Sequence, residues 1–198
     1  MLSQLPVVVG FCIFGYLSGS LPFSLMVTRL LKGVDLRTAG SGHATATNTM
    51  RQAGWAAGFL VMLLDSTKGF IPTFLALHFG GNSPWVVPLT ACLAVIGHCW
   101  PVFAGFRGGM GLGTASGSLL AVSPLSLAVF LGLLIALLLT LHHAARAAAL
   151  SGLLIAPLLW LLGLRDAFLL AGLIGVVIAF RFFSDWDRQY KELWLDRE

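Results

Sequence analysis

Charge is what this sequence has least of. Only 10% of its 198 residues are charged, against about 25% in an ordinary soluble domain. That shortage excludes a typical soluble fold. With 58% hydrophobic residues and a mean hydropathy of +0.90, the chain is expected to be an integral membrane protein. Its net charge of +4 is too small and too scattered for a nucleic-acid surface, and it suits basic cytoplasmic loops instead. Cysteine is scarce as well. Cys12, Cys92 and Cys99 sit mostly in apolar runs and lack metal-ligand spacing, which marks them as buried thiols. The adjacent pair His142 and His143 would point apart on a helix, so no metal site is expected. No Lys or Arg precedes the first apolar run, and that run is too long for the core of a signal peptide. Internal repeats and a soluble domain are also missing, so residues 1–198 are expected to form one membrane domain.

What is present is a series of apolar runs broken by short polar stretches, each long enough for a span of about 20 residues. The first covers 5–31, with Pro22 inside it and the small-residue stretch "GYLSGS" before that proline, a face suited to close helix packing. The second covers 54–79. Its "LLDSTKGF" puts Asp65 and Lys68 on one helical face, where they can pair. The third covers 85–103. The dipeptide "SP" at 123–124 then divides a long run, because a residue before proline avoids helical geometry. The pattern predicts a short helix over 112–122 that does not complete a crossing, then a helix over 125–141. A hairpin over 147–162 and 167–183 follows. The expected fold is an all-α polytopic membrane protein of about seven helices, one of them short. Arg29, Lys32 and Arg37 after the first run, Arg146, and the tail with Arg181, Arg188, Lys191 and Arg197 place the N-terminus outside and the C-terminus inside. Trp186, Tyr190 and Trp194 read as an interfacial belt.

In this topology three polar stretches share the cytoplasmic side: 32–51, 97–117 and 181–198. Two are glycine-rich, and "GFRGGMGLGTASG" has six Gly in 13 residues. Glycines let backbone N–H groups converge on an anion. Ser41, Thr45, Thr47 and Thr49 add hydroxyls, and Arg37, Arg51 and Arg107 add charge. A helix starting near Thr47 would turn its N-terminus to the same place. Glycine-rich loops also serve as plain turns, so the weight rests on two such loops, both flanked by Arg. Together they imply a phosphate-bearing ligand at the cytoplasmic membrane surface.

These residues carry a family resemblance. "GVDLRTAGSGHATATNTMR" resembles the first signature of the bacterial acyl-phosphate:glycerol-3-phosphate acyltransferases of the PlsY type, through Gly33, Asp35, Arg37, Gly40, Ser41, Gly42, Ala46, Thr47, Asn48 and Arg51. "DSTKG" resembles the family's D-x-x-K-G at Asp65, Lys68 and Gly69. "GHCWPVFAGFRGGMGLGT" resembles the second signature at Gly97, His98, Pro101, Val102, Phe103, Phe106, Gly108, Gly109, Gly111 and Thr114. The likeness runs from about residue 15 to 190. It implies a multi-pass protein of the bacterial inner membrane with its active site facing the cytoplasm. It also implies transfer of a fatty acyl group from acyl phosphate to the sn-1 hydroxyl of glycerol 3-phosphate, the first step of phospholipid synthesis. Membrane lipids are the surroundings, and no metal or dissociable cofactor is implied.

The chain departs from the signatures at defined places. His43 stands for a family Asn, Thr45 for a Gly, and Met110 for the Lys of G-G-K-G. In the third signature, near R-H-x-x-N-I-x-R, Arg181 and Arg188 remain, but Phe182 replaces the His and Asp185 the Asn. Ser41, Arg51, His98 and Arg107 are the candidate catalytic residues. Gly40, Gly42, His43, Thr47, Asn48, Lys68, Gly108, Gly109, Gly111 and Thr114 are the candidate substrate and phosphate ligands. Ser41, Thr47, Asn48 and Arg51 are assigned to one phosphate, and Arg107 with the 108–111 amides to the other. Arg107 is placed to compensate for the cation missing at Met110. His98 is either a base or phosphate ligand, or a structural residue that fixes the "GHCWP" bend. His43 either bonds the ligand or replaces Asn sterically. Lys68 either pairs structurally with Asp65 or supplies a cation. Two other functions fit the same residues: a relative with another phosphorylated acceptor, and a non-catalytic lipid- or phosphate-binding membrane protein.

Overall fold

The computed structural model describes residues 4–188, and all regular structure among them is helical. The α-helices are α1 (Leu5–Gly19), α2 (Phe23–Lys32), α3 (Ala46–Ala53), α4 (Trp55–Phe79), α5 (Val86–Cys99), α6 (Leu112–Val122), α7 (Pro124–Leu141), α8 (Ala144–Leu161) and α9 (Phe168–Phe183). Six segments are long and apolar enough to cross a membrane: α1 with α2, α4, α5 with the turn after it, α7, α8, and α9 with the turn before it. The short helix expected over 112–122 is α6. Its 11 residues span only about 16 Å at 1.5 Å per residue, half of a hydrocarbon core of about 30 Å. Ser123 ends it and caps α7, accepting from Ser126 N at 3.1 Å, with Pro124 in the first turn, where its missing N–H costs nothing.

The first apolar run, expected as one span, is broken at Ser20–Pro22. Proline lacks the N–H that would continue the ladder, and the break strands backbone groups in a chain with no water to satisfy them. α4 takes up that demand. Lys68 Nζ donates to Leu21 O at 2.9 Å, and Ser18 Oγ donates back to Lys68 O at 3.0 Å. The polar loop after α2 also holds more structure than a loop. Thr45 accepts from Asn48 N and starts α3, the N-cap arrangement of a hydroxyl on an orphan amide. Thr28 Oγ1 donates to Thr49 Oγ1 at 3.3 Å and ties α2 to α3.

Burial centres on α5, α6, α8 and α9, where Val95, Cys99, Leu119, Ile155, Leu159, Leu170, Ile174 and Ile178 pack together. Cys92 is buried as well and Cys12 partly so. α7 lies at the edge, with only Ser126 and Phe130 buried. Lipid offers no hydrophobic drive to bring helices together, so close backbone approach has to supply the attraction. Gly15 and Gly19 of the "GYLSGS" face lie against the backbone of Thr90 and Ala94 on α5. Gly117 of α6 lies against Ser66 of α4, where a Cβ would overlap the Ser66 carbonyl, and Ser118 Oγ donates to Gly69 O across the same seam. Gly117→Ala is therefore expected to lower the unfolding midpoint in detergent by roughly 5 °C, the scale of an overpacked contact. An unchanged midpoint would mean that the α4–α6 contact carries no stability.

Candidate active site

The loop 33–45 is held from beneath by a single amide. Asn48 is fully buried, and its Nδ2 lies 3.0 Å from Ala39 O, 3.0 Å from His43 O and 3.4 Å from Leu36 O. It is a clamp on the loop rather than a lining group. Gly40 sits beside it at φ +56, where a Cβ would overlap the Asn48 side chain. Asp35 braces the loop's start, accepting from Arg37 Nη2 at 2.6 Å and Arg29 Nη2 at 2.8 Å. The Arg37 guanidinium beside it holds its carboxyl well below the usual carboxylate range. Arg37 also donates to Ala104 O at 3.2 Å, so its charge serves the brace.

The second glycine-rich segment closes on the same loop. Gly108 N donates to Cys99 O at 3.2 Å, Gly109 N to His98 O at 3.1 Å, and Ala44 N to Gly108 O at 3.3 Å. The amides of residues 108 and 109, assigned from sequence to a phosphate, are thus engaged within the protein. Gly109 lies directly over the His98 ring, and a Cβ there would overlap Nε2. Arg107 points away. Its side chain is exposed, Nη2 donates to Arg37 O at 3.3 Å, and it is not part of the cavity wall. The cation expected to replace the missing Lys is therefore not delivered by Arg107.

Between these segments lies a cavity of about 450 Å³. One polar wall is Ser41, His43 and the first turn of α3 at Thr45, Ala46 and Thr47, with Arg51 one turn further on. The facing wall is Met110, Gly111, Leu112 and Gly113, the start of α6. Two helix N-termini thus open on one space, each with unsatisfied N–H groups and a positive dipole end. Asp65, Ser66 and His98 line the space between them. His98 is 6% exposed; its Nδ1 stands 3.7 Å from Asp65 Oδ1 and makes no hydrogen bond among the described residues. Lys68 pairs with Asp65 at 2.9 Å behind this wall and lines a smaller space beside it. Thr114 is fully buried at the α4–α6 seam. The cavity then turns apolar, with Met62 and Leu63 of α4 opposite Leu127, Leu131 and Leu134 of α7, and Phe182 of α9 beside them.

Of the residues expected at the site, Ser41, His43, Thr47, Arg51, His98 and Gly111 come together. Asn48, Lys68, Thr114, Gly40, Gly42, Gly108 and Gly109 support the walls from behind. Sequence reasoning missed Asp65 and Ser66 as lining groups, although the i, i+3 pairing of Asp65 with Lys68 marked that face. It also missed the engagement of His43. Burial together with Arg181 and Arg188 pushes the His43 imidazole below its ordinary value, against the pull of Asp185. Trp186, expected in an interfacial belt, packs on Arg146, with the guanidinium carbon 5.6 Å from its ring. Tyr190 and Trp194 lie outside the described residues. His142 and His143 have local duties: the first ends α7 in a left-handed conformation, and the second caps α8.

The chain is similar to proteins of known name. A family model described as glycerol-3-phosphate acyltransferase matches residues 9–192. The glycerol-3-phosphate acyltransferase of Aquifex aeolicus is 49% identical over 118 residues, 60% of this chain and 60% of that protein. Glycerol-3-phosphate acyltransferase 2 of Thermotoga maritima is 43% identical over 131 residues, 66% of each. The chain thus spans about three fifths to two thirds of these curated relatives' length. Among solved structures, PlsY, an integral membrane glycerol 3-phosphate acyltransferase, in its glycerol 3-phosphate form superposes with a TM-score of 0.81 at 37% identity, covering 91% of this chain and 90% of that one. Its lysophosphatidic acid form gives 0.79 at 36%. With a match over almost its whole length and a shared multi-pass membrane fold, the chain belongs to the glycerol-3-phosphate acyltransferase family.

Proposed function

We propose that this protein transfers a fatty acyl group from acyl phosphate to the sn-1 hydroxyl of glycerol 3-phosphate, releasing lysophosphatidic acid and inorganic phosphate. The observation that carries this reading is the cavity's two-part lining. Two helix N-termini and Arg51 face a polar end, and that end continues into an apolar channel between α4 and α7. A phosphate with a long acyl tail needs both parts at once. Ser41, Thr47 and Arg51 hold one phosphate, and the opening amides of α6 the other. The attacking oxygen forms a bond to the acyl carbon, the bond from that carbon to the phosphate oxygen breaks, and the hydroxyl proton leaves to a phosphate oxygen. Acyl phosphate is a mixed anhydride with a good leaving group, so orientation and exclusion of water supply much of the acceleration. Positive dipole ends and Arg51 stabilise the charge that builds on the carbonyl oxygen and the departing phosphate. His98, with Nδ1 directed at Asp65, orients the acceptor end. Residues 1–198 act as one domain in the bacterial inner membrane. The N-terminus lies outside, and the polar end of the cavity faces the cytoplasm, where glycerol 3-phosphate arrives.

The test is phosphate release from palmitoyl phosphate by the purified protein, with and without glycerol 3-phosphate. Acceptor-dependent release is expected; release that ignores the acceptor would overturn the reading. A second acceptor is favoured by one observation: Met110, 7% exposed, puts an apolar side chain on the anion-facing wall. Release that depends on another phosphorylated alcohol would establish it. The apolar channel makes its own prediction. Leu131→Trp fills the α7 side and is expected to lower kcat/KM for palmitoyl phosphate about tenfold relative to octanoyl phosphate, the scale of pocket discrimination by size. An unchanged ratio would place the acyl chain elsewhere.

A further inference from the structure

The first loop and the end of α9 meet in a polar junction beside the cavity. His43 Nε2 lies 2.8 Å from Asp185 Oδ2, with side-chain exposures of 13% and 7%. His43 Nδ1 lies 3.3 Å from Arg181 Nη2. A guanidinium only donates, so Nδ1 accepts and the ring proton sits on Nε2, directed at the carboxylate. Arg188 Nη1 stands 3.1 Å from the same Nε2 and 3.7 Å from Asp185 Oδ2. With Nε2 protonated, the carboxylate is its electrostatic partner.

The two arginines extend this junction in different directions. Arg188 Nη2 donates to Ser41 O at 2.7 Å, and Arg181 Nε donates to Gly109 O at 3.0 Å. Ser41 belongs to the α3 wall of the cavity, and Gly109 immediately precedes the α6 wall. The separation of the two walls therefore runs through Arg188, the His43–Asp185 contact and Arg181. Positions 43, 182 and 185 are three of those at which the chain leaves the family signatures. In the structure, 43 and 185 bond to each other, while Phe182 lines the same cavity as His43.

We infer that His43 and Asp185 form a positioning pair that sets the spacing of the two anion-binding walls through Arg181 and Arg188. Neither residue touches the reacting atoms, because both ring nitrogens and the carboxylate are engaged with protein. The inference rests on the acyltransferase reading for its kinetic signature. Loss of either partner loosens the grip on glycerol 3-phosphate and leaves the chemical step nearly intact.

The experiment is a double-mutant cycle. KM, kcat, glycerol 3-phosphate affinity by calorimetry and the thermal unfolding midpoint are measured for wild type, H43A, D185A and H43A/D185A. Each single variant is expected to raise KM for glycerol 3-phosphate about tenfold with kcat within about threefold, and the double to resemble the singles rather than their product of about a hundredfold. H43Q, whose amide nitrogen can donate to Asp185 from the place of Nε2, is expected to recover KM to within about threefold of wild type. Effects that multiply in the double would overturn the pair. So would a tenfold fall in kcat at constant KM, which would put His43 on the reacting atoms. If the alanine variants do not fold, H43Q, D185N and their double give the same cycle with volume kept. A wild type that binds glycerol 3-phosphate without turnover defeats the acyltransferase reading alone, and coupling in the calorimetric affinities then decides the pair. A wild type that neither turns over nor binds glycerol 3-phosphate overturns both.

Discussion

Alanine at Arg51 is expected to lower kcat/KM for acyl transfer by about a hundred- to a thousandfold, the cost of removing one preorganised stabilising group from a low-dielectric site. Arg51 is in the last turn of α3, and its side chain reaches the cavity whose other contributors from that helix are the first-turn residues Ala46 and Thr47. No other arginine or lysine lines this cavity among the described residues. Arg37 is committed to Asp35, Lys68 to Asp65, and Arg107 reaches the Arg37 carbonyl. A planar guanidinium can grip a phosphate through two parallel hydrogen bonds, which an ammonium cannot. Arg51→Lys is thus expected to recover only part of the activity. Steady-state kinetics with palmitoyl phosphate and glycerol 3-phosphate checks this. A loss confined to KM would mean that Arg51 binds ground state and transition state alike. An R51A protein with wild-type turnover would remove Arg51 from the site.

The second large effect concerns stability. Lys68→Met is expected to destabilise the protein by about 3–5 kcal/mol, the usual result of removing one partner from a buried ion pair. Lys68 and Asp65 side chains are 4% and 5% exposed, and their contact is 2.9 Å. Lys68 has a second duty that increases its weight: its Nζ also satisfies Leu21 O at the break between α1 and α2. The variant leaves a buried carboxylate beside His98, and Leu21 O keeps only its bond from Phe23 N at 3.1 Å. The unpaired carboxylate is the costly part where water does not reach. The asymmetry makes the test specific. Lys68→Met with Asp65→Asn removes both charges and is expected to cost less than Lys68→Met alone, because no uncompensated charge remains. Thermal unfolding in detergent reads both. Equal losses for the single and the double would show that the hydrogen bond to Leu21, and not the ion pair, carries the stability.

The sequence by itself determined most of the helices. A span needs about 20 apolar residues, and that requirement is local, so composition, Pro and Gly were enough to locate six spans and the short α6 over 112–122. It also marked the loops that surround the site, because glycine, hydroxyl and arginine at that density have few uses between membrane spans. It did not reveal the break before Pro22 as two helices, since a proline can kink a span or end it. In the structure Leu21 O at the break takes its bonds from Phe23 N and from Lys68 Nζ, 47 residues away, and not from a continuing helix. Nor did it tell which polar groups point inward. Asn48 and Arg51 lie on one short helix, yet the first is a buried clamp and the second lines the cavity. Arg107, three residues before Met110, faces away because Gly108 and Gly109 turn to bond with Cys99 and His98. His43 and Asp185 read separately as two departures from a family pattern. Only the tertiary structure joins them, since a hydrogen bond across 142 residues depends on how α9 packs against α5 and α8, and the apolar faces that fix that packing carry no record of which polar side chains will meet at its end.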